Sequence, residues 1–291
     1  VMLNGDGTVN VVVGATDLTG TNTSFAQIAA EVLDLPVSRV SVTTADTKSA
    51  PYAGVTGGSK TLFTVGQAVQ AAAQDARQQI LALVAKRLEA ATEDLEIEDG
   101  EVRIKGSPDR SITFERLGQL TTAFMSPYSP IVGRGTVAPL RQAPGFTAQV
   151  AEVEVDADTG QVRVVRYVTV QDAGFAINPL SVEGQMQGGT SQGIGVALSE
   201  QMVYDEKGRL LNANLLDYRM PTSADVPPIE TVIVEVPSEG GPYGARGVGE
   251  PSIVATSAAI GNAIYDAIGV RVCEAPITAE RILRAAGRIR D

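Results

Sequence analysis

The sequence contains no histidine and no tryptophan, and a single cysteine, Cys273, among 291 residues. Without histidine there is no imidazole base, no Ser-His-Asp triad and no His-ligated metal. One thiol cannot build a disulfide, a zinc ribbon or an iron–sulfur cluster within this chain. Cys273, among small apolar residues, is expected to serve packing. Any acid or base supplied by the protein is therefore Asp, Glu, Tyr or Lys. Aromatic residues make up 4% of the chain, so the cores are expected to be aliphatic. No apolar run approaches the ~18 residues that would span a bilayer, and no signal peptide is visible, which makes the cytoplasm the default location. Positive charge is also short: the net charge is −11. An acidic surface repels phosphate backbones and anionic lipids, which argues against nucleic-acid and membrane roles. An anionic small ligand would be held by backbone N–H groups and helix N-termini more than by Lys or Arg.

What is present describes a folded protein. Hydrophobic residues are 44% and charged residues 20%, an ordinary globular balance. The length exceeds what one compact core usually organises. The opening residues, Val1 to Thr8, read as a strand and hairpin turn already in progress. A partner upstream, on the same or another chain, is therefore expected.

Periodicity suggests strands over Val9–Gly14 and Arg39–Thr43, with a helix over Ser24–Leu33 between them. A long helix over Thr64–Ala90 carries apolar residues at helical spacing, from Val65 and Val69 to Ile80 and Val84. A tight turn at Glu98-Asp99-Gly100 joins Leu95–Ile97 to Glu101–Lys105, and Thr113 is placed to cap a short helix. The Pro/Gly/Ser-rich stretch Thr121–Gly145 is the candidate junction between a first subdomain, 1–125, and a second, 126–291. Beyond it lie a hairpin (Phe146–Val155 and Gln161–Gln171), a Gly-rich helix (Leu180–Ser199) and a second hairpin at Asp205–Gly208. A strand over Ile229–Val236 and helices over Ser252–Ile268 and Thr278–Arg288 complete the chain. Both halves mix strands and helices without regular alternation, so the expected class is α+β.

Four Gly-rich loops ask for more than packing. They are Asp17–Ser24, Gly54–Lys60, Gly184–Gly195 and Gly240–Pro251. Glycine lets backbone approach a ligand closely, helix starts favour anionic oxygens, and Thr, Ser and Gln add neutral hydrogen bonds. Together they suit a polar, phosphate-bearing, heterocyclic cofactor; each by itself is also compatible with a tight turn or close helix packing. None is a phosphate-binding Walker loop, and the third lacks the strand that a dinucleotide fingerprint needs.

Glu250 stands out within the last loop. Pro251 suits the first position of a helix, which makes Glu250 its N-cap, where Ser, Thr, Asp or Asn is preferred. A long acid there points at a ligand, or else serves the helix dipole or an ion pair with Arg246. Asp172 reads as a turn cap before Ala173-Gly174, and Tyr218 and Arg219 read as packing or surface residues.

Several of these segments resemble one family in order. Gly244-Ala-Arg-Gly-Val-Gly-Glu-Pro-Ser-Ile253, Gln171-Asp-Ala-Gly-Phe-Ala-Ile-Asn-Pro179, Gly184-Gln185 with Gln192-Gly193-Ile194-Gly195, and Thr56-Gly-Gly-Ser-Lys60 with Gly66-Gln67-Ala68-Val69 are similar to motifs of molybdenum hydroxylases. These are the large subunits of xanthine dehydrogenase, aldehyde oxidoreductase and aerobic carbon monoxide dehydrogenase type. The resemblance covers nearly the whole chain, as the C-terminal half of a molybdopterin-binding subunit. It implies a molybdopterin-type cofactor, possibly a dinucleotide, whose dithiolene holds the metal in place of protein ligands. It implies cofactor contacts from Thr19, Gly20, Thr56, Gly57, Gly58, Ser59, Lys60, Gln185, Gln192, Gly247 and Gly249, and Glu250 as catalytic base. The implied reaction oxidises a carbon centre of an aldehyde, an N-heterocycle or a similar small molecule with water-derived oxygen. Implied partners are an upstream molybdopterin-binding half, and iron–sulfur and flavin subunits or domains that receive the electrons. Two departures are visible. The first loop is one residue shorter than the family's Gly-Gln-Gly or Gly-Thr-Gly, and Lys60 stands where the family usually has Arg, giving a point charge instead of a fork. A catalytically silent fragment, active only with the missing half, and a cofactor-free interaction domain are the alternative readings.

Overall fold

Val9–Val13 (β2) alternates fully buried Val9, Val11 and Val13 with half-buried residues, as a strand with one face in the core must. In this computed structural model, which describes residues 1–44, 47–138 and 142–290, β2 pairs antiparallel with Met2–Leu3 (β1) and parallel with Val40–Thr44 (β3). A parallel pair needs a crossover. Helix α1, Thr21–Leu33, supplies it and buries Phe25, Ile28, Ala29 and Leu33. This β-α-β unit, short and unrepeated, was not distinguished by the pattern of elements along the sequence. Helix α2, Thr61–Leu88, packs against α1 and buries Val69, Ala73, Ile80 and Val84 along one stripe.

An antiparallel meander follows: Leu95–Glu98 (β4), Glu101–Ile104 (β5) and Ser107–Thr113 (β6). Asp99 and Gly100, both at positive φ, make the tight turn between the first two. The polar sequence of β6 shows no apolar alternation, so only pairing with β5 reveals it as a strand. Thr113 caps α3, Phe114–Thr122, accepting the Arg116 N–H at 3.2 Å.

The chain divides into two compact units: Val1–Ala143 with Pro237–Gly247, and Pro144–Val236 with Val248–Asp291. The sequence reading sets the junction at 125/126. Residues after it remain with the first unit for a physical reason. Ile131 accepts the Leu3 N–H, Gly133 donates to Val1, and Gly133 and Gly135 lie against the backbone of α2, where a Cβ would come within 2.1 Å of the Ala72 and Ala68 carbonyls. Residues 139–141 of the expected linker lie outside the described residues.

The second unit is built on a three-stranded sheet. Phe146–Val155 (β7) and Val162–Asp172 (β8) form the long hairpin, and Ile229–Val234 (β9) joins β8 in parallel. At the hairpin turn the Asp156 carboxylate accepts the N–H groups of Asp158 and Thr159, which holds its pKa below the ordinary value. Helix α4, Pro179–Leu198, lies in the crossover from β8 to β9. The core joins Val164, Tyr167 and Ile194 to Ile260, Ile264, Ile277 and Ile282. The buried Phe25, Phe114 and Tyr167 show that the cores are not wholly aliphatic. The helix expected over Ser252–Ile268 is two, Pro251–Val254 (α5) and Thr256–Ile268 (α6), interrupted at Ala255. Helix α7 is Ala279–Ala285. The expected hairpin at Asp205–Gly208 reduces to one bridge, Tyr204 to Leu210. Cys273 does not serve packing: it is exposed in the connection after Gly269 ends α6. Among the described residues no helix is long and apolar enough to cross a membrane.

Candidate functional site

In the first unit, Gly20 caps α1 in the left-handed conformation, with φ of 72°, and the helix begins at Thr21, earlier than Ser24. Thr19 and Gly20 are half-buried. The N–H of Asn22 is held by the Asp17 carboxylate at 3.2 Å. Three buried oxygens in the first two turns, Thr21 Oγ1, Asn22 Oδ1 and Gln27 Oε1, have no hydrogen-bond partner among the described residues. Helical side chains lean toward the N-terminus, so Gln27 covers the turn that starts at Thr23. Buried polar atoms are normally paired, and three without partners in one helix start are a cradle for a polar group.

The second loop leads into α2. Thr56, Gly57 and Gly58 are exposed, whereas Ser59 and Lys60 are half-buried. A Cβ at Gly57 would meet nothing within 4 Å, and its φ is ordinary. Neither packing nor backbone conformation within the chain requires glycine there. Ser59 adopts φ of 53°, a conformation that costs a non-glycine residue about 1–3 kcal/mol and collects at functional sites. Lys60 is the N-cap of α2, where the positive end of the helix dipole disfavours a cation. An anion at this point would satisfy both charges. Gly247 belongs beside this loop: a Cβ on it would lie 2.5 Å from the Ser59 carbonyl. Tyr243, in the segment leading to Gly247, also has φ of 53°, and burial raises its phenol pKa.

In the second unit, α4 is two-faced. Gly189 and Gly193 press against the helices that follow Glu250: a Cβ at Gly189 would lie 1.9 Å from Ser252 Oγ, and one at Gly193 would lie 2.4 Å from Thr256. On the other side, Gly184 and Gly188 are exposed and a Cβ would meet nothing. Glycine inside a helix costs roughly 0.5–1 kcal/mol relative to Ala, so two with no packing duty leave space for close approach. Gln185 is half-buried and Gln192 exposed. Asn178 caps the helix through its side chain, with Pro179 at the first position. Thr169, Gln171 and Thr190 each hold a buried side-chain oxygen without a partner among the described residues.

Glu250 is the N-cap of α5 with Pro251 at the next position, and its own side chain makes no cap hydrogen bond. It is exposed. Behind it, Ser252 Oγ lies 3.0 Å from the Gly249 carbonyl and 3.2 Å from that of Gln185, and Gln171 Nε2 donates to the Val248 carbonyl at 3.0 Å. Asp172 caps its turn as expected, accepting the N–H groups of Gly174 and Val236. The Tyr218 hydroxyl donates to Glu200 at 2.7 Å, which together with burial raises its pKa. Thus Ser59 and Gly247 meet in the first unit, and Gln185 meets Gly249 through Ser252 in the second. Sequence reasoning pointed to Asn22 and Gln27 with the first loop but missed Gln149 and Thr256. The available signal was a Gln or Thr at an inward position among apolar neighbours.

Residues 1–227 match the model of the molybdopterin cofactor-binding domain, a span that ends before Glu250. The chain is 34% identical over 287 residues to the xanthine dehydrogenase molybdenum-binding subunit of Escherichia coli O157:H7, covering 97% of this chain and 38% of that protein. It is 35% identical to the nicotine 6-hydroxylase large subunit of Paenarthrobacter nicotinovorans, covering 94% of this chain and 34% of the relative. The crystal structure of quinoline 2-oxidoreductase from Pseudomonas putida 86 superimposes with a TM-score of 0.88 at 32% identity, over 99% of this chain and 38% of that one. The chain therefore spans less than two-fifths of the length of these relatives. With a family match over most of its length and relatives across nearly all of it, the chain belongs to the molybdopterin cofactor-binding domain family.

Proposed function

We propose that this chain forms part of the cofactor site of a molybdenum hydroxylase and carries its base, Glu250. The observation that carries the reading is that Gly57, Gly184 and Gly188 are glycines that neither backbone conformation nor packing within the chain requires. Gly57 precedes the Lys60 N-cap of α2, and Gly184 and Gly188 lie within α4, which also bears Thr190 with its buried hydroxyl oxygen unpartnered among the described residues. A polar, anionic, heterocyclic group fits that donor and acceptor set. The residues proposed to contact it are Thr19, Gly20, Thr56, Gly57, Gly58, Ser59, Lys60, Gln185, Gln192, Gly247 and Gly249.

When bound, the cofactor supplies the two-electron acceptor for oxidation of a carbon centre in an aldehyde, an N-heterocycle or a similar small molecule. The Glu250 carboxylate takes the proton from the water-derived oxygen that attacks that carbon. Overall, a C–H and a water become a C–OH, two protons and two electrons, and the electrons pass to iron–sulfur and flavin partners in the cytoplasm. The names of the relatives support the reaction class: one is a nicotine 6-hydroxylase and another a quinoline 2-oxidoreductase. The exposure of Glu250 favours a chain that is silent alone, because a general base gains from a site that excludes water. Molybdenum and pterin analysis of the purified complete protein tests the reading: stoichiometric amounts of both are expected, and a complete protein lacking both contradicts it.

A further inference from the structure

Beneath the turn that carries Glu250 lies a buried polar network with no part in the chemistry described so far. Gln149, on β7, is its hub. Its amide Nε2 donates to the Ser252 carbonyl at 2.7 Å, and its Oε1 accepts from the Tyr167 hydroxyl at 2.7 Å and from Thr256 Oγ1 at 3.0 Å. The amide orientation follows from the partners, since a carbonyl only accepts and must face Nε2. The single Thr256 proton is shared between Gln149 and the Ser252 carbonyl, also at 3.0 Å. The Ser252 hydroxyl reaches the Gly249 carbonyl, and Gln171 holds the Val248 carbonyl. Tyr167, Gln171, Ser252 and Thr256 are all fully buried.

These contacts fall on three backbone carbonyls, Val248, Gly249 and Ser252, on both sides of Glu250. Pro251 restricts the remaining link through its fixed φ. Simple packing would be met by Val, Leu or Met at the same positions, without the cost of burying four polar side chains and half-burying Gln149. Directional hydrogen bonds that converge on one turn instead specify one geometry.

We propose that Gln149, Tyr167, Thr256, Ser252 and Gln171 form a positioning network that fixes the backbone around Glu250 and so holds its carboxylate in one orientation. The proposal rests on the reading of Glu250 as the base. Misplacing a reacting group by about 1 Å can cost on the order of 100-fold in rate. Gln149→Met keeps the size of the side chain and removes every bond of the hub; Tyr167→Phe is a milder variant that removes one.

The test uses the complete, cofactor-loaded protein, with quinoline, nicotine, xanthine and benzaldehyde offered as substrates and a redox dye as acceptor. Turnover per bound molybdenum is measured together with amide hydrogen exchange at residues 247–252. Gln149→Met should speed exchange at the turn and lower kcat by about 10–100-fold at unchanged KM, with Tyr167→Phe falling between it and the parent protein. Added to Glu250→Gln, Gln149→Met should cost nothing further, because two changes that act through one group do not add. Unchanged exchange at the turn, or a loss that adds fully to that of Glu250→Gln, would overturn the network. Turnover retained in Glu250→Gln with altered exchange would instead overturn the reading of Glu250, and the positioning role with it.

Discussion

Gly189 and Ser252 stand so close that a methyl group on Gly189 would lie 1.9 Å from the Ser252 hydroxyl oxygen. The same helix bears Gly184 and Gly188, where a methyl group meets open space. The approach of α4 at Gly189 is what lets the Ser252 hydroxyl reach the Gln185 carbonyl while it also holds Gly249.

Opposite effects are therefore expected within one helix. Gly189→Ala should destabilise the chain by about 1–3 kcal/mol through overpacking. Gly184→Ala should stabilise it by roughly 0.5–1 kcal/mol, because Ala is the better helix former. Urea denaturation of the two variants measures both, and equal effects would remove the distinction between the two faces.

Gly57→Ala separates cofactor contact from fold. Among the described residues nothing lies within 4 Å of the new methyl group and the backbone φ is ordinary, so thermal stability should be unchanged or slightly raised. Molybdenum content of the complete protein should fall, since the methyl group occupies space left for close approach. A variant with full molybdenum content would place the cofactor elsewhere.

Much of this was legible in the sequence, and the rest was hidden for identifiable reasons. A valine-rich run marked β2, helical spacing marked α2, and Thr113 announced the start of α3. The ordered motifs at Thr56–Lys60, Gly184–Gly195 and Gly244–Ile253 identified the family that the comparisons established. Strand β6 was hidden because its residues are polar and exposed, and only pairing with β5 defines it. Helices α5 and α6 read as one because Ala255 is itself a good helix former, yet the chain breaks there. The parts played by Gln149 and Gln171 depend on which distant carbonyl each amide meets, and no local pattern carries that information.

Tyr167 gives the second unit a dependence on alkaline pH. Burial raises its phenol pKa from 10.0 to about 12, opposed in part by the neighbouring Thr256 hydroxyl. The folded state thus holds the phenol proton more tightly than the unfolded chain does. The stabilisation is complete below pH 10 and is lost as pH rises toward about 12. For one proton the slope is at most about 1.4 kcal/mol per pH unit. Denaturation at pH 8 and pH 11 should show a smaller alkaline loss in Tyr167→Phe than in the parent protein, and equal losses would show that Tyr167 does not contribute.

The central claim is that Glu250 moves a proton in the reaction, and Glu250→Gln tests it most directly because it keeps size and one acceptor while removing the basic carboxylate. In the complete protein, turnover per bound molybdenum should fall by at least the ~10²–10⁴ attributed to a general base, with molybdenum content and melting temperature near those of the parent. If Glu250 serves only as a helix cap or an ion-pair partner, the substitution should cost roughly 1 kcal/mol of stability and leave turnover per molybdenum unchanged. That second result would contradict the account.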